Sequence, residues 1–306
     1  KHEAKRELTS SGAFRHEIGV PSGFFPNGWK VKSPKYELAP RNAPLKPGEV
    51  VQMKFAHNGK PVTENAYFVG LPRDFSVRTR EYSDLLGATA LYKQLLKTRV
   101  LESNEWFQFD GDGGKWTFSN YAGNDVYDIG PWDEASRVSW LRFLGQNDFD
   151  TVLDGIGRYF GFEHLSCYFN FFVGLAKSGK TNTMHADLYG TGNAGFNILW
   201  PFLLVNGSKP ELLIQSDDAN IVIPVNYEYD TAIALGDYVY HMTNPINYGD
   251  TGDMRIVVGT YCSQIDESNS LIHKYLNAGD EPIPFLGELD HIFNEYHWGQ
   301  GHSLPK

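Results

Sequence analysis

The chain of 306 residues is long enough for one elaborated domain or at most two. Hydrophobic residues make up 41% and aromatic residues 14%, enough for a sizeable core. With 27 Lys and Arg against 37 Asp and Glu, the net charge is -10, so the surface repels phosphate backbones and nucleic acid is not expected as a partner. No apolar stretch approaches the roughly 20 residues of a membrane span, so a membrane is not expected either.

The chain has only two cysteines, Cys167 and Cys262, and each lies in an apolar run. This pattern argues against a disulfide framework and against a metal site built from cysteines. An intracellular compartment is therefore expected, most simply the cytoplasm. Because the chain begins at Lys1 and not at a methionine, this interpretation leaves room for a removed targeting segment. The sequence does not indicate an oligomeric state.

The N-terminal half predicts an arm followed by strands and helices. Residues 1–50 are rich in Pro, Gly and Lys with little periodicity, which is typical of a wrapping arm. Leucines recur at helical spacing over Ser83–Leu101 and predict the first helix. The predicted elements of this half are strands at Val50–Ala56 and Ala66–Leu71, the helix at Ser83–Leu101, a Gly/Asp turn at 110–114, and helices at Pro131–Leu144 and Phe149–Phe160.

From Ser166 the chain consists of short β-rich runs separated by Gly, Asn, Asp and Pro turns. The predicted strands are Cys167–Ala176, Thr183–Tyr189, Phe196–Val205, Glu211–Gln215, Ile221–Val225, Thr231–Leu235, Tyr238–His241 and Met254–Cys262. Strands at this spacing predict a jelly roll or small barrel. We expect a mainly β single domain, 1–306, with flanking helices and a double-stranded β-helix (jelly roll, cupin-like) core at about 166–263. The arm and helices fill 1–165, and 264–306 adds closing helices at 266–278 and 283–297.

Four polar positions in this β-rich region favour a metal site only in combination, since a chain with 10 histidines is expected to contain about one His-x-Asp or His-x-Glu by chance. His185 and Asp187 are two residues apart in a predicted strand, so both project from the same face into one cavity. His241 ends a short predicted strand 56 residues after His185. Arg255 follows 14 residues later and interrupts an apolar strand, where a guanidinium is costly unless it meets an anion.

This pattern resembles the iron(II)/2-oxoglutarate-dependent oxygenase superfamily over residues 166–263. The resemblance implies that His185, Asp187 and His241 hold Fe(II), leaving positions for 2-oxoglutarate and O2. It implies that Arg255 clamps the distal carboxylate of 2-oxoglutarate, where its planar fork suits bidentate pairing. The implied enzyme is a dioxygenase that oxidises a C–H bond of a small molecule by hydroxylation, desaturation or ring closure, giving succinate and CO2.

Two features indicate which branch of the superfamily the chain resembles. Three further residues are candidates for the same site. Asp187 is present, whereas halogenating members lack the acidic ligand. The predicted strand after it carries no Lys, which favours the Arg-anchored, phytanoyl-CoA-hydroxylase-like branch. Polar residues on neighbouring strands could bond 2-oxoglutarate or orient a ligand; ordinary strand-edge roles are the alternative. These residues are Tyr168, Asn170 and Asn197.

Two other functions stay open. Gly174–Thr181 fits the phosphate-loop pattern of nucleotide hydrolases, and a strand-like run precedes it. Phosphate binding there needs a helix starting at Lys180, but the residues that follow include three glycines and carry no apolar stripe, so we interpret the segment as a turn. The other alternative is a non-enzymatic cupin-like binding domain.

The substrate is the least defined part of the prediction. The acidic, aromatic-rich composition favours a small molecule over a polymer. The core at Thr183–Pro201 is similar to algal oxygenases that close the ring of kainoid amino acids, as one example from secondary metabolism. Such a substrate carries several carboxylates and would require basic pocket residues besides Arg255, and Lys180, Arg137 and Arg142 are candidates in sequence.

Overall fold

The computed structural model describes a mainly β protein with three flanking helices. The residues it describes are 5–8, 14–17, 30–31, 44–57, 60–85, 106–111, 114–120, 126–131, 134–174, 195–205, 211–216, 221–236, 239–243, 254–264, 296–299 and 303–306. The strands are β1 (Lys5–Leu8), β2 (Phe14–Glu17), β3 (Lys30–Val31), β4 (Val50–His57), β5 (Lys60–Gly70), β6 (Trp106–Gly111), β7 (Gly114–Asn120), β8 (Val126–Pro131), β9 (His164–Gly174), β10 (Gly195–Val205), β11 (Glu211–Gln215), β12 (Ile221–Asn226), β13 (Thr231–Gly236), β14 (His241–Thr243), β15 (Met254–Gln264) and β16 (Tyr296–Gly299). The helices are α1 (Phe75–Leu85), α2 (Glu134–Gln146) and α3 (Asp150–Phe160).

Most strands belong to one large antiparallel sheet. Its order is β4-β5-β13-β10-β15-β9-β8-β7-β6, and β16 pairs with the first residues of β9. A smaller sheet has the order β14-β11-β12-β3, in which only β3 runs parallel to its neighbour. β1 and β2 pair with each other as a separate ribbon.

The chain winds between the two sheets in the manner of a jelly roll. It passes from β10 in the large sheet to β11 and β12 in the small one, returns to β13, crosses to β14 and returns to β15. Each crossing places consecutive strands on opposite walls of one barrel. The strand order therefore confirms a double-stranded β-helix core.

The outer face of the large sheet is covered by the helices. Alternate residues of β10, namely Phe196, Ile198 and Trp200, are fully buried in a cluster that includes residues of α2 and α3. α3 buries an amphipathic stripe and ends at Gly161, whose φ of 74° is the left-handed conformation that glycine adopts without strain. The helix layer thus occupies one side of the large sheet and leaves its other face to the small sheet.

A second apolar cluster fills the space between the two sheets, which we call the inter-sheet core. The large sheet contributes Leu199 of β10 and Val257 of β15, and the small sheet contributes Ile214 of β11 and Ile223 of β12. In the large sheet these residues alternate with those buried under the helices, which we call the helix-side cluster. In the small sheet they alternate with residues on the face away from the inter-sheet core, as the two-residue period of a strand requires. Strand parity therefore identifies the positions that face this core.

Several predicted elements are confirmed, with shifted boundaries. The helices predicted at Pro131–Leu144 and Phe149–Phe160 correspond to α2 and α3. The Gly/Asp turn connects β6 and β7, in which Gly111 pairs with Gly114. The strands β6–β8 were not predicted, and the arm predicted at 1–50 contains β1, β2 and β3.

Two predicted boundaries are wrong, and α1 was not predicted. α1 lies ahead of the helix predicted at Ser83–Leu101 and shares only residues 83–85 with it; its buried stripe consists of Phe75, Thr79 and Tyr82 and offers no leucine signal. Residues 296 and 297 lie in β16 and not in a closing helix, because they pair with Cys167 and Ser166 of β9. His241 begins its strand and does not end it. The rest of the helix predicted at Ser83–Leu101, and residues 266–278 and 283–295 of the two predicted closing helices, lie outside the described residues.

In the part of the chain that the structure describes, no helix is both long enough and apolar enough to cross a membrane.

Candidate functional site

His241 lies at the end of the barrel where the chain crosses from the large sheet to the small one. The turn after β13 is tight, with the Val239 N–H bonded to the Gly236 carbonyl at 3.3 Å. His241 then opens β14 directly opposite Ile214, whose side chain lies in the inter-sheet core. Paired residues of an antiparallel ladder share a face. The imidazole, of which 5% is exposed, is therefore on the core side of the small sheet.

One hydrogen bond determines the tautomer of this imidazole. His241 Nδ1 lies 3.0 Å from the Val239 carbonyl oxygen. A carbonyl can only accept, so Nδ1 carries the proton, and in the neutral ring the lone pair is on Nε2. Histidine ligands of metals are commonly oriented in this way, donating one ring N–H to a carbonyl and binding the metal through the other nitrogen. His241 thus has the second-nitrogen contact and the burial expected of a metal ligand.

Asn197 lies at the same end of the barrel, on the opposite wall. It is 2% exposed and shares strand parity with Leu199, so it occupies the core-facing side of β10. Its neighbour Phe196 pairs with Gly236, the residue at which the turn towards His241 begins. The two walls therefore bring Asn197 and His241 to one end of the inter-sheet space.

Arg255 lies at the other end of the same sheet. It is the second residue of β15, where it pairs with Leu204 of β10 and Gly174 of β9. Its position has the parity of Val257, which packs in the inter-sheet core. Tyr261, the β15 partner of Asn197, is six residues further along, which corresponds to about 20 Å at the rise of an extended strand. Asn197 and Arg255 therefore mark opposite ends of the barrel wall and do not form one contact cluster.

Tyr168 and Asn170 occupy β9 positions between these two ends. Tyr168 pairs with Tyr261, in the same cross-strand row as Asn197. Asn170 pairs with Gly259, one row closer to Arg255. Both alternate with Cys167, which lies in the helix-side cluster, so both positions belong to the core-facing side of β9. All four residues predicted to contact a co-substrate thus share one face of the large sheet.

The remaining predicted site residues lie outside the described residues. They are the metal ligands His185 and Asp187, the candidate pocket residue Lys180, and all other residues of the phosphate-loop segment Gly174–Thr181 except Gly174. In the described part of the chain, no three His, Cys, Asp or Glu side chains are grouped as metal ligands would be. The triad itself stays a prediction.

Arg142, a candidate partner for substrate carboxylates, is not placed near His241. It is exposed on α2 and lines a surface groove of about 500 Å³ between α1 and α2, together with Arg78 and Tyr82. α2 packs on the helix side of the large sheet. Arg142 is therefore separated from the inter-sheet core by that sheet. The side chain of Arg137, on the same helix, lies outside the described residues.

The two cysteines face each other across neighbouring strands of the large sheet. Cys167 of β9 pairs with Cys262 of β15, and their sulfur atoms are 3.3 Å apart without a disulfide. Both are fully buried in the helix-side cluster. Burial, followed by the hydrogen bond and charge of Cys167, raises the pKa of the Cys262 thiol. The two thiols lie on the side of the sheet away from His241, where that of Cys262 stays protonated.

Sequence patterns could not reveal the Val239 carbonyl, the group that orients His241. Every residue has a backbone carbonyl, and which one an imidazole meets is decided by the local turn. A second tertiary contact was equally hidden: Tyr229, in the turn between β12 and β13, bonds both backbone groups of Leu204, the strand partner of Arg255.

No protein-family model and no curated protein sequence matches this chain. Among solved structures it is similar to AviO1 from Streptomyces viridochromogenes Tue57, with a TM-score of 0.43 and 13% identity over 67% of this chain and 91% of that one. It is also similar to the α-ketoglutarate-dependent epimerase SnoN from nogalamycin biosynthesis, with a TM-score of 0.40 and 10% identity over 64% and 77% of the two chains. A Pseudomonas putida prolyl-4-hydroxylase gives a TM-score of 0.38 and 13% identity over 66% and 94%. The jelly-roll assignment rests on the strand order and register of the chain itself.

Proposed function

We propose that the chain is an iron(II)/2-oxoglutarate-dependent oxygenase that oxidises a C–H bond of a small molecule. The observation that carries the proposal is the orientation of His241. Its imidazole is buried on the core-facing wall of a jelly roll, and the Val239 carbonyl holds it in the tautomer whose Nε2 has the lone pair. Fe(II) is a metal to which two histidines and one carboxylate are well suited as ligands.

The winding of the chain supports His185 and Asp187 as the other two ligands. β9 ends at Gly174 and β10 begins at Gly195, both in the large sheet. In a jelly roll the connection between two such strands crosses the opposite wall. On that wall β14, which carries His241, is one of the two edge strands among the described residues, and β3 is the other. A strand from this connection, as predicted at Thr183–Tyr189, would lie beside β14 and bring all three side chains together.

The roles of the large-sheet residues follow from their places along the barrel. Asn197 and Tyr168 lie at the His241 end, where we propose that they orient the co-substrate or a ligand. Arg255 lies at the other end, where a guanidinium would bind the distal carboxylate of 2-oxoglutarate in bidentate fashion. The co-substrate would thus lie along the strands, between the two ends of the barrel. When bound, the metal with O2 and 2-oxoglutarate supplies the oxidising chemistry; the chain binds, orients and excludes water.

The Arg-anchored, phytanoyl-CoA-hydroxylase-like branch is the more specific proposal. β10, the strand in which an anchoring Lys would be sought, contains none. A substrate of the kainoid-precursor type stays a prediction, and Arg142 is removed from its candidate partners by the position of α2.

The decisive experiment is an anaerobic titration of Fe(II) and 2-oxoglutarate followed by visible spectroscopy. We expect a weak charge-transfer band in the native protein, and no band in His185→Ala. In Arg255→Ala, the apparent affinity for 2-oxoglutarate should fall about tenfold or more, as expected for the loss of a charged hydrogen-bonded pair. Absence of the band in iron-loaded native protein would contradict the proposal.

The same preparation separates the alternatives by their products. An oxygenase forms succinate from 2-oxoglutarate, whereas a nucleotide hydrolase that uses Gly174–Thr181 releases phosphate from a nucleoside triphosphate. A cupin-like binding domain does neither.

A further inference from the structure

Tyr229 was not predicted as a site residue, but its hydroxyl bonds the strand partner of Arg255. It lies in the turn between β12 and β13, at the end of the barrel where Arg255 begins the β15 wall. Its hydroxyl accepts the Leu204 N–H at 2.6 Å and donates to the Leu204 carbonyl at 2.9 Å. Leu204 pairs directly with Arg255 across β10 and β15.

The two bonds to Leu204 establish which kind of strand pair it forms with Arg255. The N–H and C=O of one strand residue point to the same edge, and in Leu204 both point to Tyr229. They therefore point away from β15, so Leu204 and Arg255 form a non-hydrogen-bonded pair. In such pairs the Cα atoms lie about 4.5 Å apart and the side chains are closer than in the hydrogen-bonded kind. The two Tyr229 bonds thus hold the backbone of the residue that pairs directly with Arg255.

Tyr229 takes the place of a strand at this point of the sheet. The register of β10 with β13 runs from Phe196 to Leu199, and a bulge at Phe202 follows, between Pro201 and Leu203. Beyond the bulge, the Tyr229 hydroxyl supplies the ladder bonds on the β13 side of Leu204. The Tyr229 ring is itself covered by the Arg80 guanidinium of α1, 5.2 Å from the ring centroid. The end of β10 is therefore hydrogen-bonded by a side chain at a position where no β13 residue is in register.

We propose that Tyr229 is a positioning residue for Arg255, setting through Leu204 the place of the guanidinium that binds the distal carboxylate of the co-substrate. This inference rests on the proposed function. It assigns Tyr229 to the 2-oxoglutarate subsite and not to the metal centre, because His241 lies at the opposite end of the barrel. The metal affinity and the co-substrate affinity should consequently respond differently to its loss.

The test is Tyr229→Phe, which keeps the ring and removes the hydroxyl. Mn2+ affinity and 2-oxoglutarate affinity are measured separately by anaerobic titration. We expect an unchanged Mn2+ affinity and a 2-oxoglutarate affinity lowered by about five- to tenfold, the range of one or two lost hydrogen bonds. Tyr82→Phe is the matched control, since it loses a tyrosine hydroxyl bonded to Ser139 on the helix side and should bind both ligands normally.

A double-mutant cycle distinguishes positioning from general destabilisation. If Tyr229 acts through Arg255, the Tyr229→Phe effect on 2-oxoglutarate affinity disappears in an Arg255→Ala background. An effect that persists there, or an affinity equal to native in the single variant, overturns the inference. Leu204→Ala, which trims the half-buried neighbour of Arg255, provides a second variant should Tyr229→Phe not fold; native 2-oxoglutarate affinity in it also overturns the inference. Failure of the native protein to bind 2-oxoglutarate at all would instead contradict the proposed function.

Discussion

The orientation of His241 makes a prediction about stability that needs no substrate. The imidazole is 5% exposed and its Nδ1–H bonds the Val239 carbonyl at 3.0 Å. His241→Phe fills a similar volume but removes both ring nitrogens. Without metal, we expect the free energy of unfolding to fall by about 1–3 kcal/mol, because the buried carbonyl loses its donor.

A second effect concerns the stabilisation by bound metal. A ligand at one hundred times its Kd stabilises the folded state by about 2.7 kcal/mol. At about 2.1 cal/mol/K per residue, the unfolding entropy of the 306-residue chain is about 0.64 kcal/mol/K, so Tm should rise by about 4 °C. Loss of one ligand that lowers the affinity about a hundredfold leaves about 0.4 kcal/mol at the same concentration, less than 1 °C.

The assay is thermal unfolding followed by fluorescence, with chelator-treated protein and with Mn2+ as a stand-in for Fe(II) that resists oxidation. Each variant is compared with its own metal-free form, so the loss of the Val239 bond cancels. Tyr82→Phe is again the control and should keep the full metal-induced shift. If His241→Phe also keeps it, His241 is not a ligand and the argument from its tautomer is wrong.

Two further predictions concern groups on the helix side of the large sheet. Burial raises the pKa of Tyr82 to about 12 from 10.0, so the stability that its neutral phenol contributes is complete below pH 10 and is lost as the pH rises towards 12. At pH 11 this loss is about 1.4 kcal/mol, and in Tyr82→Phe the fall in unfolding free energy between pH 8 and pH 11, measured with urea, should be smaller by that amount; an equal fall in both proteins would contradict the assignment. Cys167 and Cys262 are fully buried and the pKa of Cys262 is raised, so neither thiol should react with an aromatic disulfide reagent in the native state, whereas both should titrate in guanidinium. Reaction of the native protein at the rate of an exposed thiol would show that these strands open.

The sequence by itself determined much of the fold. Short β-rich runs from Ser166 onward predicted the jelly roll, because β-forming residues and the turn residues between them are visible in the sequence without knowledge of the strand partners. The apolar stripes of α2 and α3 were equally visible. α1 was not predicted, because its buried stripe is one phenylalanine, one threonine and one tyrosine among charged residues. The strands β6–β8 were not predicted. The Gly/Asp turn between β6 and β7 was identified in the sequence, but the pairing of the segments beside it was not.

For the candidate site, the sequence predicted the residue types but not their arrangement. His241 was predicted from its distance after His185, Asn197 from its place on the following strand, and Arg255 as a charge in an apolar strand. Only strand register and the tight turn after β13 put His241 and Asn197 at one end of the barrel and Arg255 about 20 Å away at the other. The tautomer of His241 depends on the backbone carbonyl of a neighbouring residue, Val239. The hydrogen bonds of Tyr229 are made to the backbone of a residue distant in sequence, Leu204. Backbone groups are the same in every residue, so only the tertiary structure decides which of them a side chain meets.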